Sequence, residues 1–181
     1  MNKLQRKDGL FRGNFGQPQL ELKEVAESGA FEGYAAIFDV EDRGNDTIAQ
    51  GAFADSLRMI PAEKIKVLWQ HDTSEVIGYL SEAFEDARGL YVKGQLITEI
   101  QKGRECQILL QKKAIEGMSI GYRTTSVKRD ENSDEWKRTI LTAELWEVSI
   151  VTFPMNVLLC ILIRCLRRST IQTLLVINRS S

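Results

Sequence analysis

A serine set between two glycines is the first feature of the sequence that points to chemistry. Gly117-Met118-Ser119-Ile120-Gly121 fits the G-x-S-x-G pattern, whose glycines allow a sharp turn and a close approach of substrate to the hydroxyl. A purely structural turn is the competing interpretation. An α/β-hydrolase is disfavoured, because that fold places its histidine after the serine and its serine between a strand and a helix. In this sequence the only histidine precedes Ser119, which follows a predicted helix and opens a predicted strand.

His71 is the base that a nucleophilic serine would need. A serine hydroxyl is a weak nucleophile without a base within hydrogen-bond reach, and imidazole is the usual base near neutral pH. The chain contains a single histidine, which follows an alternating strand in Trp69-Gln70-His71-Asp72. A lone histidine is more often a plain core or surface residue, but no other imidazole is available to Ser119. The residues therefore predict Ser119 as nucleophile and His71 as general base.

A third group would hold the imidazole in one tautomer and stabilise its cation, and two acids are candidates. Asp72 adjoins His71, although neighbouring strand residues point to opposite faces of a sheet. Glu147 lies in the apolar segment Leu145–Val151, where an acid either faces solvent or has a partner. Strict alternation predicts one mixed face made of Leu145, Glu147, Ser149 and Val151. On the residues alone, the choice between Asp72 and Glu147 stays open.

The elements that would position these residues are mostly strands. Residues 65–69 alternate between apolar and polar side chains and predict a half-buried strand that runs into His71. Two hairpins are predicted, one around the turn at Glu85–Gly89 and one around the charged turn Arg129–Glu135. Six further strands are predicted, and the last four of them form the two hairpins: Leu20–Ala26, Gly33–Phe38, Val76–Phe84, Leu90–Ile97, Ser119–Lys128 and Trp136–Val151.

Two helices complete the predicted fold. Phe53–Met59 is expected to end before Pro61, because the residue preceding a proline resists the helical region. Glu99–Ile115 is the longer helix, and Gly117 is expected to cap it. Its predicted apolar face consists of Cys106, Leu109, Leu110 and Ala114. Together the elements predict an α+β fold, a strand-dominated β-barrel with a few packed helices.

Composition and charge exclude several classes of protein. The 181 residues are 43% hydrophobic, which suffices for one core. With 24 basic and 25 acidic residues, there is no electrostatic case for nucleic-acid binding. Three cysteines without C-x-x-C spacing predict neither a disulfide framework nor a zinc site. No cofactor or metal is predicted, since the acids of Asp39–Asp46 also lack calcium-ligand spacing.

The sequence shows no segment that would place the chain in or across a membrane. The first residues lack the apolar stretch of a signal peptide. No run approaches the roughly 18 apolar residues of a spanning helix. We therefore expect a soluble intracellular protein.

Four sequence patterns follow one another in a characteristic order over about residues 30–156. They are Gly51-Ala52-Phe53, Gln70-His71-Asp72 followed by Ile77-Gly78, Gly117–Tyr122, and Leu145–Val151 followed by Pro154. This ordered set resembles the caudovirus prohead serine protease family. In that resemblance Ser119 matches the nucleophile, His71 the general base and Glu147 the third member.

The resemblance implies a serine endopeptidase that processes phage head proteins, on a fold similar to that of herpesvirus assemblins. Its implied substrates are the major capsid protein and its scaffold segment, with the portal protein as a further partner and with self-cleavage. It would act inside the assembling procapsid, in the host cytoplasm. By analogy with the herpesvirus enzymes a homodimer is expected. The alternative is a non-catalytic capsid-assembly or scaffold-binding module on the same fold.

The composition of the chain changes near residue 156. We predict a flexible leader at 1–20, a protease domain at 21–156 and an atypical tail at 157–181. The tail contains four arginines and no acid, whereas the resemblance implies a polar segment there. A reading-frame shift would produce such a change. The alternative is a real apolar segment that packs on the barrel, pairs two chains or contacts scaffold.

Overall fold

The structure is a computed structural model that describes residues 28–129 and 137–155. Four features predicted from the sequence lie wholly or largely outside these residues. They are the leader at 1–20, the strand Leu20–Ala26, the tip of the second hairpin and the tail at 157–181.

Strands dominate the described residues, as the sequence predicted, with few helices beside them. The strands are β1 (Ala30–Ile37), β2 (Asp46–Ile48), β3 (Lys66–Trp69), β4 (Asp72–Glu85), β5 (Gly89–Leu96), β6 (Gly117–Arg129) and β7 (Arg138–Val151). The helices are α1 (Ala54–Met59), α2 (Gln101–Gln111) and a short 3₁₀ turn at Ala62–Lys64. Both predicted hairpins are confirmed, as β4–β5 and as β6–β7.

One seven-stranded sheet contains all of these strands, and β7 is its central member. Along one edge β7 pairs in parallel with β2 and with β3, and along the other it pairs antiparallel with β6. The rest of the sheet continues from β3 through β4 and β5 to β1. The sheet curls so that its end strands, β1 and β6, contact each other. Among the described strands, β6 pairs only with β7.

The inner face of the curled sheet and the buried sides of the helices form one apolar core. Phe53, Leu110, Met118, Leu145 and Ile150 are among its fully buried members. Such complete burial of large side chains contributes about 1.5–3 kcal/mol each. The core therefore spans the sheet from α1 and α2 to β6 and β7, and it holds those two strands in place.

The ends of the helices confirm one prediction and correct another. Helix α1 ends at Met59, and Ile60 before Pro61 is extended (φ −117°, ψ 114°), as expected. Helix α2 is shorter than predicted and ends at Gln111. Two residues later, Lys113 takes a left-handed conformation (φ 55°) that turns the chain away from the helix. The N–H groups of Lys113 and Ala114 donate to Leu110 and Leu109, the pattern of a Schellman cap.

Gly117 is therefore not the cap of α2, and the predicted apolar face of that helix ends early. Gly117 is the first residue of β6. Cys106 and Leu110 are buried and Leu109 packs against the core. Ala114 lies beyond the helix and is exposed, because the chain has already turned away at Lys113.

Candidate active site

His71 is placed by a two-residue turn between β3 and β4. Trp69 and Asp72 pair across this turn, and the central residues Gln70 and His71 are both left-handed (φ 54° and 61°). Such turns match the twist of a hairpin but favour glycine or asparagine, because other side chains are strained there. The Gln70 N–H donates to the Ile150 carbonyl (3.0 Å), and its side-chain amide donates to Thr152 Oγ1 (2.8 Å). The end of β7 thus holds the turn that presents the imidazole.

Of the two acids between which the sequence left a choice, Glu147 is the one that contacts the imidazole. His71 Nδ1 lies 2.7 Å from Glu147 Oε1. Asp72 is engaged elsewhere, since its Oδ1 accepts hydrogen bonds from the backbone N–H and the hydroxyl of Ser74. The carboxylate beside the imidazole is therefore the one on β7.

Glu147 raises the pKa of His71 above its ordinary value of 6.5. The hydrogen bond to the carboxylate is the main cause, because it favours the protonated ring, while partial burial opposes it. The His71 side chain is 43% exposed. A carboxylate partner at Nδ1 and a partly exposed ring suit a proton carrier.

A bulge in β7 aims Glu147 at His71. Gly121 on β6 pairs with Glu147 and Tyr122 pairs with Leu145, so Trp146 is an extra residue in the ladder. A bulge of this kind reverses the alternation of side chains on the two sides of it. Leu145 consequently enters the core, and the predicted mixed face that joined Leu145 to Glu147 is wrong.

Gly121 leaves the room that the Glu147 carboxylate occupies. A Cβ atom at this position would overlap Glu147 Oε1 and approach its Cγ to 2.9 Å. The glycines of the G-x-S-x-G pattern therefore do not form a sharp turn. The segment Gly117–Gly121 is continuous strand. Its second glycine, Gly121, makes room for the Glu147 side chain on the neighbouring strand β7.

Ser119 lies on β6 directly opposite Ser149 of β7. Residues paired in this way point to the same face, and neighbouring strands are about 4.7–4.9 Å apart. Ser119 therefore shares a face with Glu147 and Ser149. It is only 6% exposed, and its hydroxyl makes no hydrogen bond with His71 or with another residue that the structure describes.

Ser149 is a site residue that reasoning from the sequence did not identify. Its Oγ donates to Glu147 Oε2 (2.7 Å) and accepts from the His71 backbone N–H (3.1 Å). The available signal was a hydroxyl two residues after an acid in an otherwise apolar strand. That signal did not identify Ser149 as a site residue, because the sequence does not reveal the turn that brings His71 over β7.

A cleft of about 150 Å³ opens beside Ser119, where β1 and β6 meet. Ala35, Ile37 and Ile120 are among its apolar lining residues, and Asp42 and Asp46 are its acidic ones. Asp46 is engaged by Arg138 (Nη2–Oδ2 2.8 Å), and Asp42 Oδ1 accepts the N–H groups of Gly44 and Asp46. These acids therefore stabilise the loop that forms one rim of the cleft.

The described residues offer no alternative nucleophile or metal centre of comparable quality. Burial raises the pKa of the Cys106 thiol to about 12, which leaves it protonated and unreactive. Within residues 28–129 and 137–155, no three His, Cys, Asp or Glu side chains form a group that could hold a metal ion. Neither helix in these ranges is long and apolar enough to cross a membrane.

Comparisons with known proteins identify the family to which this chain belongs. The family profile described as caudovirus prohead serine protease matches residues 18–165. The chain is 32% identical over 146 residues to the "Prohead protease" of Enterobacteria phage HK97, which covers 79% of this chain and 63% of that protein. It is 31% identical over 98 residues to the "Capsid polyprotein" of Pseudomonas phage PAJU2, covering 51% of this chain and 14% of that protein. The chain thus spans less than two thirds of the length of either relative.

One solved structure in particular shows the same kind of fold. The capsid assembly protease of bacteriophage T4 superposes with a TM-score of 0.50 at 12% identity, over 72% of this chain and 89% of that chain. A varicella-zoster virus protease matches with a TM-score of 0.46 at 15% identity, over 73% and 62% of the two chains. With a family profile that covers most of the sequence, the conclusion is direct. The chain belongs to the caudovirus prohead serine protease family.

Proposed function

We propose that this protein is a serine endopeptidase that cleaves capsid and scaffold protein during phage head maturation. Ser119 is the nucleophile, His71 the general base and Glu147 the group that orients the imidazole. The observation that carries the proposal is the 2.7 Å contact between His71 and Glu147, on the face of the sheet that also bears Ser119. Family membership supports the class of reaction, and the contact between His71 and Glu147 supports the roles that we propose for these residues.

The proposed mechanism is acyl transfer through Ser119. His71 takes the hydroxyl proton as Ser119 Oγ attacks a peptide carbonyl, and it then gives that proton to the departing amine. Water, activated by the same imidazole, hydrolyses the acyl-enzyme. Glu147 stabilises the imidazolium through its contact with Nδ1. The missing Ser119–His71 hydrogen bond is compatible with this scheme, because such contacts often tighten only when substrate binds.

The cleft between β1 and β6 is where we place the substrate. Its apolar walls adjoin Ser119, and β6 has one edge that no described strand occupies. An extended peptide can add to a free strand edge through main-chain hydrogen bonds, while its side chains enter nearby pockets. We therefore infer that the scissile segment lies along β6, with one side chain in the cleft.

The names of the relatives direct the choice of substrate. One is a prohead protease and the other a capsid polyprotein, and we propose the capsid protein and its scaffold segment as substrates. Processing would then occur in the assembling procapsid, within the host cytoplasm. Self-cleavage, the portal protein as a partner and a homodimer stay predictions.

The substitution Ser119→Ala tests the proposal. We expect the variant to fold as the parent does and to leave co-expressed capsid protein unprocessed, because only the attacking oxygen is lost. Gel analysis of capsid protein and thermal unfolding of the purified variant measure the two effects. Ser126→Ala is the matched control, since Ser126 is an exposed serine on the same strand. Processing at the parental rate by Ser119→Ala would remove Ser119 from the mechanism.

A non-catalytic capsid-binding module is the second candidate. The absence of a hydrogen bond between the Ser119 hydroxyl and His71 in this structure favours it. A fluorophosphonate probe separates the two, because it labels an activated serine and not an idle one. Labelling that Ser119→Ala abolishes favours the enzyme. Co-purification with capsid protein, without labelling or cleavage, favours the binding module.

A further inference from the structure

The Ser149 hydroxyl connects two of the proposed active-site residues and is completely buried. Its exposed fraction is 0%, so its hydrogen bonds cannot be exchanged for bonds to water. It donates to Glu147 Oε2 and accepts from the His71 backbone N–H. Both contacts go to the same pair of residues, whose side chains meet at Nδ1 and Oε1.

We propose that Ser149 is a positioning residue, whose hydroxyl fixes the Glu147 carboxylate and the His71 backbone in the arrangement that catalysis uses. The inference rests on the proposed function, because it assigns Ser149 to that active site. Ser149 itself does not touch the cleft or the scissile bond in this proposal. It acts only through its two neighbours.

The contacts of Glu147 explain why one hydroxyl has this effect. Oε1 accepts from the imidazole and Oε2 accepts from Ser149, so each oxygen has a partner and rotation of the carboxylate breaks one of the two bonds. Without the hydroxyl, Oε2 has no donor among the described residues. The bond to His71 Nδ1 is then the one hydrogen bond that orients the carboxylate among the described residues.

The backbone contact of Ser149 acts on the other partner. His71 is left-handed, a conformation that costs about 1–3 kcal/mol and persists only where neighbouring groups hold it. The bond from its N–H to Ser149 Oγ is one such restraint, and the Gln70 bonds to Ile150 and Thr152 are others. Loss of the Ser149 hydroxyl thus removes one restraint on the His71 backbone and one on the Glu147 carboxylate that contacts the His71 ring.

The substitution Ser149→Ala, made in the full chain, tests the inference through two measurements. The first is the pKa of His71, followed by NMR, which is unambiguous because the chain has one histidine. We expect the pKa to fall toward its ordinary value as contact with Glu147 is lost. The second is the rate at which a fluorophosphonate probe labels Ser119, which we expect to fall at least tenfold.

Ser56→Ala is the matched control. Ser56 is also a buried serine, and its hydroxyl accepts the N–H of Leu145 (2.9 Å) on the core side of β7. We expect a similar loss of thermal stability from this variant, with the His71 pKa and the labelling rate unchanged. The comparison therefore separates positioning from a general loosening of β7.

The outcomes distinguish this inference from the proposed function. A His71 pKa that does not fall in Ser149→Ala overturns the inference, whatever the activity. A pKa that falls, in a protein whose parent form is not labelled, supports the positioning role and counts against the protease. Should Ser149→Ala fail to fold, Ser149→Cys replaces the hydroxyl by a weaker donor, and an unchanged His71 pKa in that variant overturns the inference equally.

Discussion

At the scale of single residues, the contact between Glu147 and His71 links the proposed activity to pH. The carboxylate favours the protonated ring, so the pKa of His71 lies above its ordinary value. A general base must be neutral to accept a proton. Activity should therefore rise with pH through the raised pKa of His71, and it should be low in mildly acidic solution.

Glu147→Gln tests this relation. Since the neutral amide no longer favours the imidazolium, we expect the pKa of His71 to fall, and the acidic limb of the kcat/KM profile to move to lower pH. Above that limb, kcat should fall at least tenfold, because the imidazolium formed during reaction has lost its counter-charge. Glu144→Gln is the control, since Glu144 is an exposed acid on β7 that pairs with Arg123. An unshifted limb in Glu147→Gln would contradict the assignment.

The same pair has a defined effect on stability. Because the folded pKa of His71 is raised, the pairing stabilises the folded state fully below the unfolded pKa of about 6.5. That contribution is lost as the pH rises through the folded pKa. The difference in Tm between the parent and Glu147→Gln should accordingly be largest in mildly acidic solution and smaller at higher pH.

Residue types predicted part of the site and could not predict the rest. A single histidine and a glycine-flanked serine were visible as a pair because imidazole is scarce in this chain. Asp72 and Glu147 could not be separated, because sequence proximity favoured one and an apolar setting the other. The distinction depends on the left-handed turn at Gln70–His71, where neither residue is the glycine or asparagine that signals such turns.

At the scale of elements, strands were predicted well and their irregularities were not. Alternation located β3, and the turns between strand-like segments located both hairpins, one of which carries Ser119. The extra residue at Trp146 reverses the alternation within β7, and this reversal moves Leu145 into the core. Bulges depend on the fit between two strands rather than on one residue type. Alternation along β7 alone therefore assigned Leu145 to the wrong face of the sheet.

The end of α2 was also not predicted from residue types, because a lysine and not a glycine caps it. This end gives a stability prediction. Lys113 occupies the left-handed position that glycine usually takes. We expect Lys113→Gly to raise the free energy of unfolding by roughly 0.5–1 kcal/mol, because glycine relieves the strain of that conformation. Urea denaturation would measure the change. Lys112→Gly is the control, since Lys112 is right-handed (φ −82°) and glycine there should destabilise. A loss of stability in Lys113→Gly would contradict this account.

At the scale of the whole molecule, one apolar core joins the elements that the structure describes. Among the described residues its members run from Phe31 on β1 to Ile150 on β7. The family profile extends further, to residue 165, past the boundary that composition predicts at 156. That boundary stays a prediction, because the apolar residues after 156 resemble core residues in composition.

Two truncations locate that end, one after residue 156 and one after residue 165. We expect both to retain the Tm of the full chain within about 2 °C, because the core that the described residues form, from Phe31 to Ile150, precedes both points. Both should be at least as soluble, since an apolar, arginine-bearing segment is removed. Unfolding of both variants would make the tail part of the domain and would argue against a frame shift. Unfolding of the shorter variant alone would move the boundary to between the two points.

The central place of β7 has a consequence for the timing of activity in the cell. Chains emerge from the ribosome with their N-terminal residues first, and every part of the site depends on a strand that emerges after the others described. Before residues 138–151 appear, β2, β3 and β6 have no common partner, Glu147 is absent, and the turn carrying His71 has nothing to hold it. A nascent chain therefore lacks the assembled site until residues 138–151 have been made.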